Sequence, residues 1–364
     1  MKPHSSTSNS KSNKRYLKKF AIFGVLIILM FAAAFVCVNF LERITNDRSS
    51  TQKISMYQIE DFYALEENSL DVLIMGSSHA MCTYNPYALE RWSGEYSKRL
   101  PATADTFGKT LSAYNLGTAL QQPDTAYYLL REVYKTQKPR VLIYDLYFKV
   151  MQCEKTAEQA ETVLMELKPS LNYASFWWNN LDGERRVNYL NNRINPFGRL
   201  FSIFSNWEDA RAAVNEERNP NYRGKGFYVT EGIVSDELLK EDKHPFSKEY
   251  VPYTERQIKY LKKLVALAES YGTRVIFVSA PIPPTVLGRI DYFNELNRDA
   301  QALAKEVSVP YHDFALDQLS GKLPLSDQDF ADQGHLNLAG AEKFNAYCWD
   351  IINNLGKNSG RWSK

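Results

Sequence analysis

Asp71-Val72-Leu73-Ile74-Met75-Gly76-Ser77-Ser78-His79-Ala80 joins a short apolar run to a glycine turn and a pair of serines. Four apolar residues between an acid and a glycine fit a strand buried on both faces. A strand that stops at Gly76 and restarts as a helix sets its serines at the carboxyl edge of a sheet. There they stand over a helix amino terminus, where open α/β sheets collect their chemistry.

The same pattern recurs along the chain. Tyr114-Asn115-Leu116-Gly117 is a second apolar approach ending in glycine. From Pro123 to Lys138 the spacing of Ala126, Leu129, Leu130, Val133 and Tyr134 predicts a helix, which Pro139 stops. Val141-Leu142-Ile143-Tyr144-Asp145 then reads as a buried strand. Thr254 with Gln257 has the form of a capping box; Ile258, Leu261, Val265 and Ala268 make one apolar stripe, and Gly272 ends the helix. The strand from Arg274 to Ser279 follows at once, and a last helix is expected from Leu338 to Asn354, with Ala341, Phe344, Cys348 and Ile351 on one face. Apolar β-branched strands alternating with amphipathic helices imply an α/β fold with a parallel sheet covered on both sides. The alternation lapses between Met151 and about Val251, which is read as a mainly helical insertion at about 151–250.

The amino terminus has a different character. Residues 1–19 carry no acid and no apolar cluster and are expected to be a disordered, basic tail. Phe20 to Leu41 is then 22 residues without a charge, enough to cross a bilayer as a helix. Lys11, Lys14, Arg15, Lys18 and Lys19 precede it, so the positive-inside rule puts the amino terminus in the cytoplasm and the rest outside. A cleaved signal peptide would have a shorter apolar region and a small-residue cleavage site, whereas Asn39-Phe40-Leu41-Glu42-Arg43 follows here. The resulting plan is a tail at 1–19, an anchor in the cell membrane at 20–41, a polar stalk at 42–68, a catalytic domain at 69–355 and a short tail at 356–364.

Composition narrows the function. A net charge of +2 on 364 residues argues against a nucleic-acid partner. The four cysteines Cys37, Cys82, Cys153 and Cys348 lie far apart, which excludes a zinc ribbon or a disulfide scaffold. A serine becomes a nucleophile only when a base takes its proton and a third group holds that base in one tautomer. Asp332-Gln333-Gly334-His335, in a loop before the last helix, can supply both. The competing readings of this pair are a helix cap beside a surface histidine, or a metal site, for which His312 with Asp313 is the one further candidate. No metal or other cofactor is expected. The amides of Ser78 and Gly117 are the natural suppliers of an oxyanion hole, against the plainer reading of Gly117 as a turn. Ser77 competes with Ser78 for the nucleophile role. His79 adjoins Ser78 too closely to be its base and is read as substrate-facing or capping.

Gly76-Ser77-Ser78, Asn115-Leu116-Gly117 and Asp332-Gln333-Gly334-His335 with Asn337 and Gly340 together resemble the SGNH (GDSL-like) hydrolase superfamily. The anchored form, with Gly-Ser-Ser for Gly-Asp-Ser, looks like the branch holding the teichoic-acid D-alanylation protein DltD and the alginate O-acetylation proteins. The resemblance runs from about residue 69 to 355. It implies a flavodoxin-like three-layer α/β/α sandwich and acyl-ester chemistry, with Ser78 as nucleophile, His335 as base, Asp332 orienting it and Gly117 at the oxyanion position. It further implies an esterase or O-acyltransferase acting outside the cell on a surface glycan or teichoic-type polymer, with a membrane-bound O-acyltransferase as partner. A non-catalytic member that binds polymer or partner is the alternative. The family's third-block Gly-x-Asn has no counterpart: that strand ends Tyr144-Asp145-Leu146-Tyr147, and Asp145 is assigned to orienting a neighbour or the substrate. Trp177, Trp178 and Trp207 are read as core more readily than as a sugar or lipid platform. Arg223 and Lys225 are read as a solvated loop more readily than as a contact for an anionic polymer.

Overall fold

The computed structural model describes residues 8–45, 54–97, 111–208, 218–240 and 249–358. The chain forms two compact units, one of residues 50–182 and 219–364, the other of 1–49 and 183–218.

The larger unit is built on a five-stranded parallel sheet: β1 (Val72–Met75), β2 (Ala113–Asn115), β3 (Val141–Asp145), β4 (Arg274–Ser279) and β5 (Tyr311–Asp313), in the order β2-β1-β3-β4-β5. Val72 pairs with Ala113 on one side and Val141 on the other, and Val141 pairs with Arg274. β1 and β3 are buried throughout, as uninterrupted apolar runs between two helical layers must be. The connection from β1 to β2 runs one way across the sheet and those from β2 through β5 run the other. Right-handed crossovers therefore place the helices on opposite faces. α3 (Ser78–Thr83) and α4 (Pro86–Ser97) follow β1, and α4 packs with the helix Leu338–Asn358. α5 (Pro123–Val133) packs with the helix Glu255–Ser270. This is the doubly wound α/β/α sandwich, and its order reverses between β1 and β3, the switch point where such sheets bind ligands. Trp349, Tyr144, Phe277, Phe314 and Phe344 fill the core.

Thr254 caps the Glu255–Ser270 helix by accepting from the Gln257 N–H at 3.3 Å. The reciprocal half of the capping box is absent: the Gln257 side chain instead donates to the carbonyls of Cys153 and Glu154 and accepts from the Asp124 N–H.

Three expectations about organisation are corrected. Residues 8–19 are helical, within α1 (Ser8–Thr45), because a helix nucleated by a long apolar segment extends cheaply into its flank; residues 1–7 lie outside the described residues. The expected stalk contains α2 (Ile54–Tyr63), which belongs to the α/β unit: Tyr57 and Phe62 are buried, and Gln58 Nε2 donates to Gly117 O at 2.7 Å and Gly226 O at 2.8 Å. The insertion is divided. α6 (Phe148–Gln152), α7 (Ala157–Glu166) and α8 (Leu171–Asn180) belong to the α/β unit, while α9 (Gly183–Ile194) and α10 (Pro196–Ser205) belong to the unit containing α1. Within α1, Tyr16–Leu41 is long and apolar enough to cross a membrane.

The loop at residues 219–226 is structural. Lys225 pairs with Glu90, its ammonium lies over the Tyr87 ring, and its carbonyl accepts from the Asn115 N–H at 2.9 Å. The segment covers the edge of β2, so Lys225 is occupied within the protein; Arg223 is exposed. Trp178 and Trp207 are exposed, contrary to a core placement, and Trp177 is half-buried.

Candidate active site

β1 ends at Gly76, whose φ of +146° is a conformation that side-chain-bearing residues avoid. A Cβ there would come within 2.9 Å of the Asp145 Cβ and 3.0 Å of that of Ala80. The turn is pinned on its amide side by Gln121, whose Oε1 accepts from the Gly76 N–H at 3.2 Å while its Nε2 donates to Leu116 O at 2.7 Å. Ser77 is fully buried and caps α3, accepting from the His79 N–H at 3.2 Å. Its hydroxyl is thereby committed to the helix. Ser78 opens α3 and is half-exposed. As the first helical residue its N–H has no acceptor one turn earlier, which leaves it available to negative charge.

Across the chain, 257 residues later, His335 meets it. His335 Nε2 lies 2.7 Å from Ser78 Oγ, and Nδ1 lies 2.8 Å from Asp332 Oδ2 and 3.0 Å from Oδ1. With the proton on Nδ1, the imidazole donates to the carboxylate and accepts from the serine hydroxyl. Asp332 also accepts from the backbone amides of Gly334 and His335, both at 2.8 Å. Burial would raise the Asp332 pKa, but the His335 hydrogen bond and charge with these two amides outweigh it and hold the carboxyl at about 2. The Asp332 carboxyl is thus ionised at neutral pH.

Local pairing holds the loop rigid. Phe330 and Leu336 form an antiparallel bridge, the Ala331 N–H donates to His335 O at 2.9 Å, and Thr230 bridges to Asn337. Asn337 donates to Gln328 O and Gly232 O and accepts from the Gly340 N–H, fastening the loop to the start of the last helix. These bonds hold the loop that carries the imidazole.

The remaining expected residues sort themselves by contact. His79 is buried, stacks on Tyr147 with ring centroids 3.7 Å apart, and lies 5.2 Å from the His335 ring. Burial and the neighbouring His335 push its pKa well below the usual imidazole value, so it is neutral. A Cβ on Gly334 would come 2.9 Å from His79 Nε2, so glycine at that position lets the two histidines share the site. Asp145 is buried behind the Gly76 turn instead of facing an open site: it accepts from the Ala280 N–H at 2.8 Å and from the Tyr84 hydroxyl at 3.4 Å. Burial raises its pKa to about 7.

Gly117 departs from its expected oxyanion role. Its N–H is already donated to Asn115 Oδ1 at 2.9 Å, while Asn115 Nδ2 donates to the Ala80 and Tyr84 carbonyls. The glycine is there for close approach, since a Cβ would meet Met81 N at 2.9 Å. The Ser78 N–H, first in α3, has no helical acceptor one turn earlier. Sequence reasoning missed Gln121 and Tyr147. The signal for Tyr147 was its place two residues beyond the carboxyl end of β3; nothing local marked Gln121.

His312 and Asp313 also have structural partners. His312 pairs with Asp317 at 2.6 Å, and Asp313 is buried, accepting from Asn297 and the Ala315 N–H. Among the described residues no group of three or more His, Cys, Asp or Glu is placed to hold a metal ion.

No protein-family profile matches the chain, and no curated protein matches it in sequence. Among solved structures it is similar to one described as an acylhydrolase from Bacteroides fragilis NCTC 9343, 13% identical with a TM-score of 0.34 over 84% of this chain and 98% of that one. It is similar also to one described as a GDSL-like lipase from Parabacteroides merdae ATCC 43184, 12% identical with a TM-score of 0.36 over 80% of this chain and 98% of that one.

Proposed function

We propose that the protein is a membrane-anchored serine esterase or O-acyltransferase of the SGNH type, working outside the cytoplasm on an acylated surface polysaccharide or teichoic-type polymer. The observation that carries this reading is the Ser78–His335–Asp332 chain of contacts at 2.7 and 2.8 Å. In the mechanism, His335 Nε2 takes the Ser78 proton as Oγ attacks the ester carbonyl. The Ser78 N–H, at the positive end of α3, faces the oxyanion. His335 then protonates the departing alcohol oxygen, leaving an acyl-Ser78 ester. Water or a sugar hydroxyl, deprotonated by the same imidazole, attacks that ester and regenerates the serine. His79 and Tyr147 form a neutral wall beside the base. Tyr16–Leu41 supports the anchor, and the basic residues before it support a cytoplasmic amino terminus. A membrane-bound O-acyltransferase as donor partner belongs to the same proposal.

A second reading, a polymer- or partner-binding protein without turnover, draws on the occupied Gly117 amide. Turnover of a small acetyl ester separates the two. The enzyme reading expects hydrolysis that is lost in Ser78→Ala and faster acyl release when a polysaccharide acceptor is added. Folded protein that cleaves no acetyl ester favours the binder.

A further inference from the structure

The unit holding α1 contains a second apolar element. α10 (Pro196-Phe-Gly-Arg-Leu-Phe-Ser-Ile-Phe-Ser205) packs alongside α1. The Phe197 ring meets the Phe31 ring edge-on at 5.1 Å, the Arg199 guanidinium lies over the Phe35 ring, and Arg199 Nη2 donates to Asn39 Oδ1 at 2.9 Å. All three partners on α1 fall inside the uncharged stretch Phe20–Leu41. That stretch is about 33 Å long as a helix, and Phe31 lies about halfway along it. If α1 crosses a bilayer, a helix resting on residues 31–39 lies at bilayer depth too.

The outward face of α10 agrees with that position. Phe197, Phe201 and Phe204 recur at helical spacing, and Phe201 is 75% and Phe204 61% exposed. Aromatic side chains of that size, left this exposed, are costly in water and at home among acyl chains. Each helix end carries a side-chain cap from within the segment, which lowers the cost of a low-dielectric surrounding. Asn195 Oδ1 accepts from the Gly198 N–H at 3.0 Å, and Asn206 Nδ2 donates to Ser202 O at 3.0 Å. Trp207, stacked with Phe204, lies just past the helix end with its amphipathic ring exposed, as interfacial tryptophans do.

We propose that α10 is a second membrane-embedded element, its Phe197, Phe201 and Phe204 among the acyl chains of the outer leaflet and Trp207 at the headgroup boundary. The proposal rests on the reading of α1 as a bilayer anchor. On this proposal the chain meets the bilayer at an internal segment, α10, as well as at α1.

The test uses full-length wild-type protein in phosphatidylcholine–phosphatidylglycerol vesicles containing a phospholipid with a diazirine on its acyl chain. After irradiation, lipid adducts are mapped by peptide mass. The expected result is adducts both in residues 20–41 and in residues 197–207. Adducts confined to 20–41 overturn the proposal, leave the anchor intact and point to a protein partner for the α10 face. Adducts in neither segment overturn the anchor reading and the proposal with it. A second measurement places an environment-sensitive fluorophore on Phe204→Cys or Val25→Cys, with Cys37 and Cys153 changed to serine. Emission at both positions shifts to the blue and is quenched by nitroxide lipids but not by aqueous iodide. Iodide quenching at position 204 alone, with circular dichroism unchanged, contradicts the proposal.

Discussion

The two units treat their large side chains in opposite ways. The α/β unit encloses Trp349, Phe277 and Phe344 completely, whereas the α1–α10 unit turns Phe201 and Phe204 outward at 75% and 61% exposure. One interior was formed by removing apolar surface from water; the other surface suits a medium that is itself apolar. Crowding varies from position to position: a Cβ on Gly226 would fall 1.6 Å from Asn115 O, while around Gly24, Gly183, Gly232, Gly272 and Gly321 nothing lies within 4 Å. Reactive geometry to a few tenths of an ångström needs the first kind of packing, and Ser78, His335 and Asp332 all lie in it.

The largest effects are expected at the site. Ser78→Ala and His335→Ala are each expected to reduce ester turnover by about 10³-fold or more. Asp332→Asn should lose about 10² to 10⁴, because the wrong imidazole tautomer then faces the serine. Steady-state kinetics on an acetyl ester reads all three. Phe201→Ser should leave kcat on a soluble ester within about twofold, since surface changes away from a site rarely propagate.

Next in size is the glycine contrast. Gly226→Ala, at φ +77° and against the Asn115 carbonyl, should destabilise by about 3 kcal/mol or more. Gly24→Ala and Gly183→Ala, in open surroundings, should change stability by less than about 1 kcal/mol. Thermal unfolding in detergent compares them; equal losses would remove the distinction between crowded and open positions.

A smaller effect comes from Asp145. Its folded pKa of about 7 lies above the unfolded carboxyl value near 4. Between those values the folded state keeps a proton that the unfolded state releases, so stability falls as pH rises from about 4 to about 7. Asp145→Asn should remove on the order of 2 kcal/mol of that pH dependence. Asp313, raised to about 6 by burial, would supply the slope that remains. Unfolding curves at pH 5 and pH 8 measure the difference. Smallest of all, Lys225→Ala should lose about 0.5–1 kcal/mol from its half-exposed ion pair and ring contact.

The sheet was legible in the amino-acid sequence because β1, β3 and β4 are continuous apolar runs with glycine or proline beside them, and buried strands leave few other readings. Ser78 and His335 were legible for a related reason: each sits where a local turn signal meets a reactive side chain. The site's interior was not. Whether the Gly117 amide is free depends on the Asn115 side chain folding back two residues, a rotamer choice made by the Ala80 and Tyr84 carbonyls. The His79–Tyr147 stack joins residues 68 apart and has no local trace. α2 reads as polar stalk because part of what it buries is Gln58, whose amide spans two backbone carbonyls. Residues 183–208 look like the rest of the insertion because exposed phenylalanines at helical spacing have the pattern of a core-facing stripe.

Mapping a fluorophosphonate adduct on the full-length protein tests most directly whether Ser78 is an activated nucleophile. One adduct is expected, on Ser78, absent in Ser78→Ala, strongly slowed in His335→Ala and retained in Ser77→Ala, which loses only a helix cap worth about 1 kcal/mol. An adduct on Ser77, or folded protein that never labels, would contradict it.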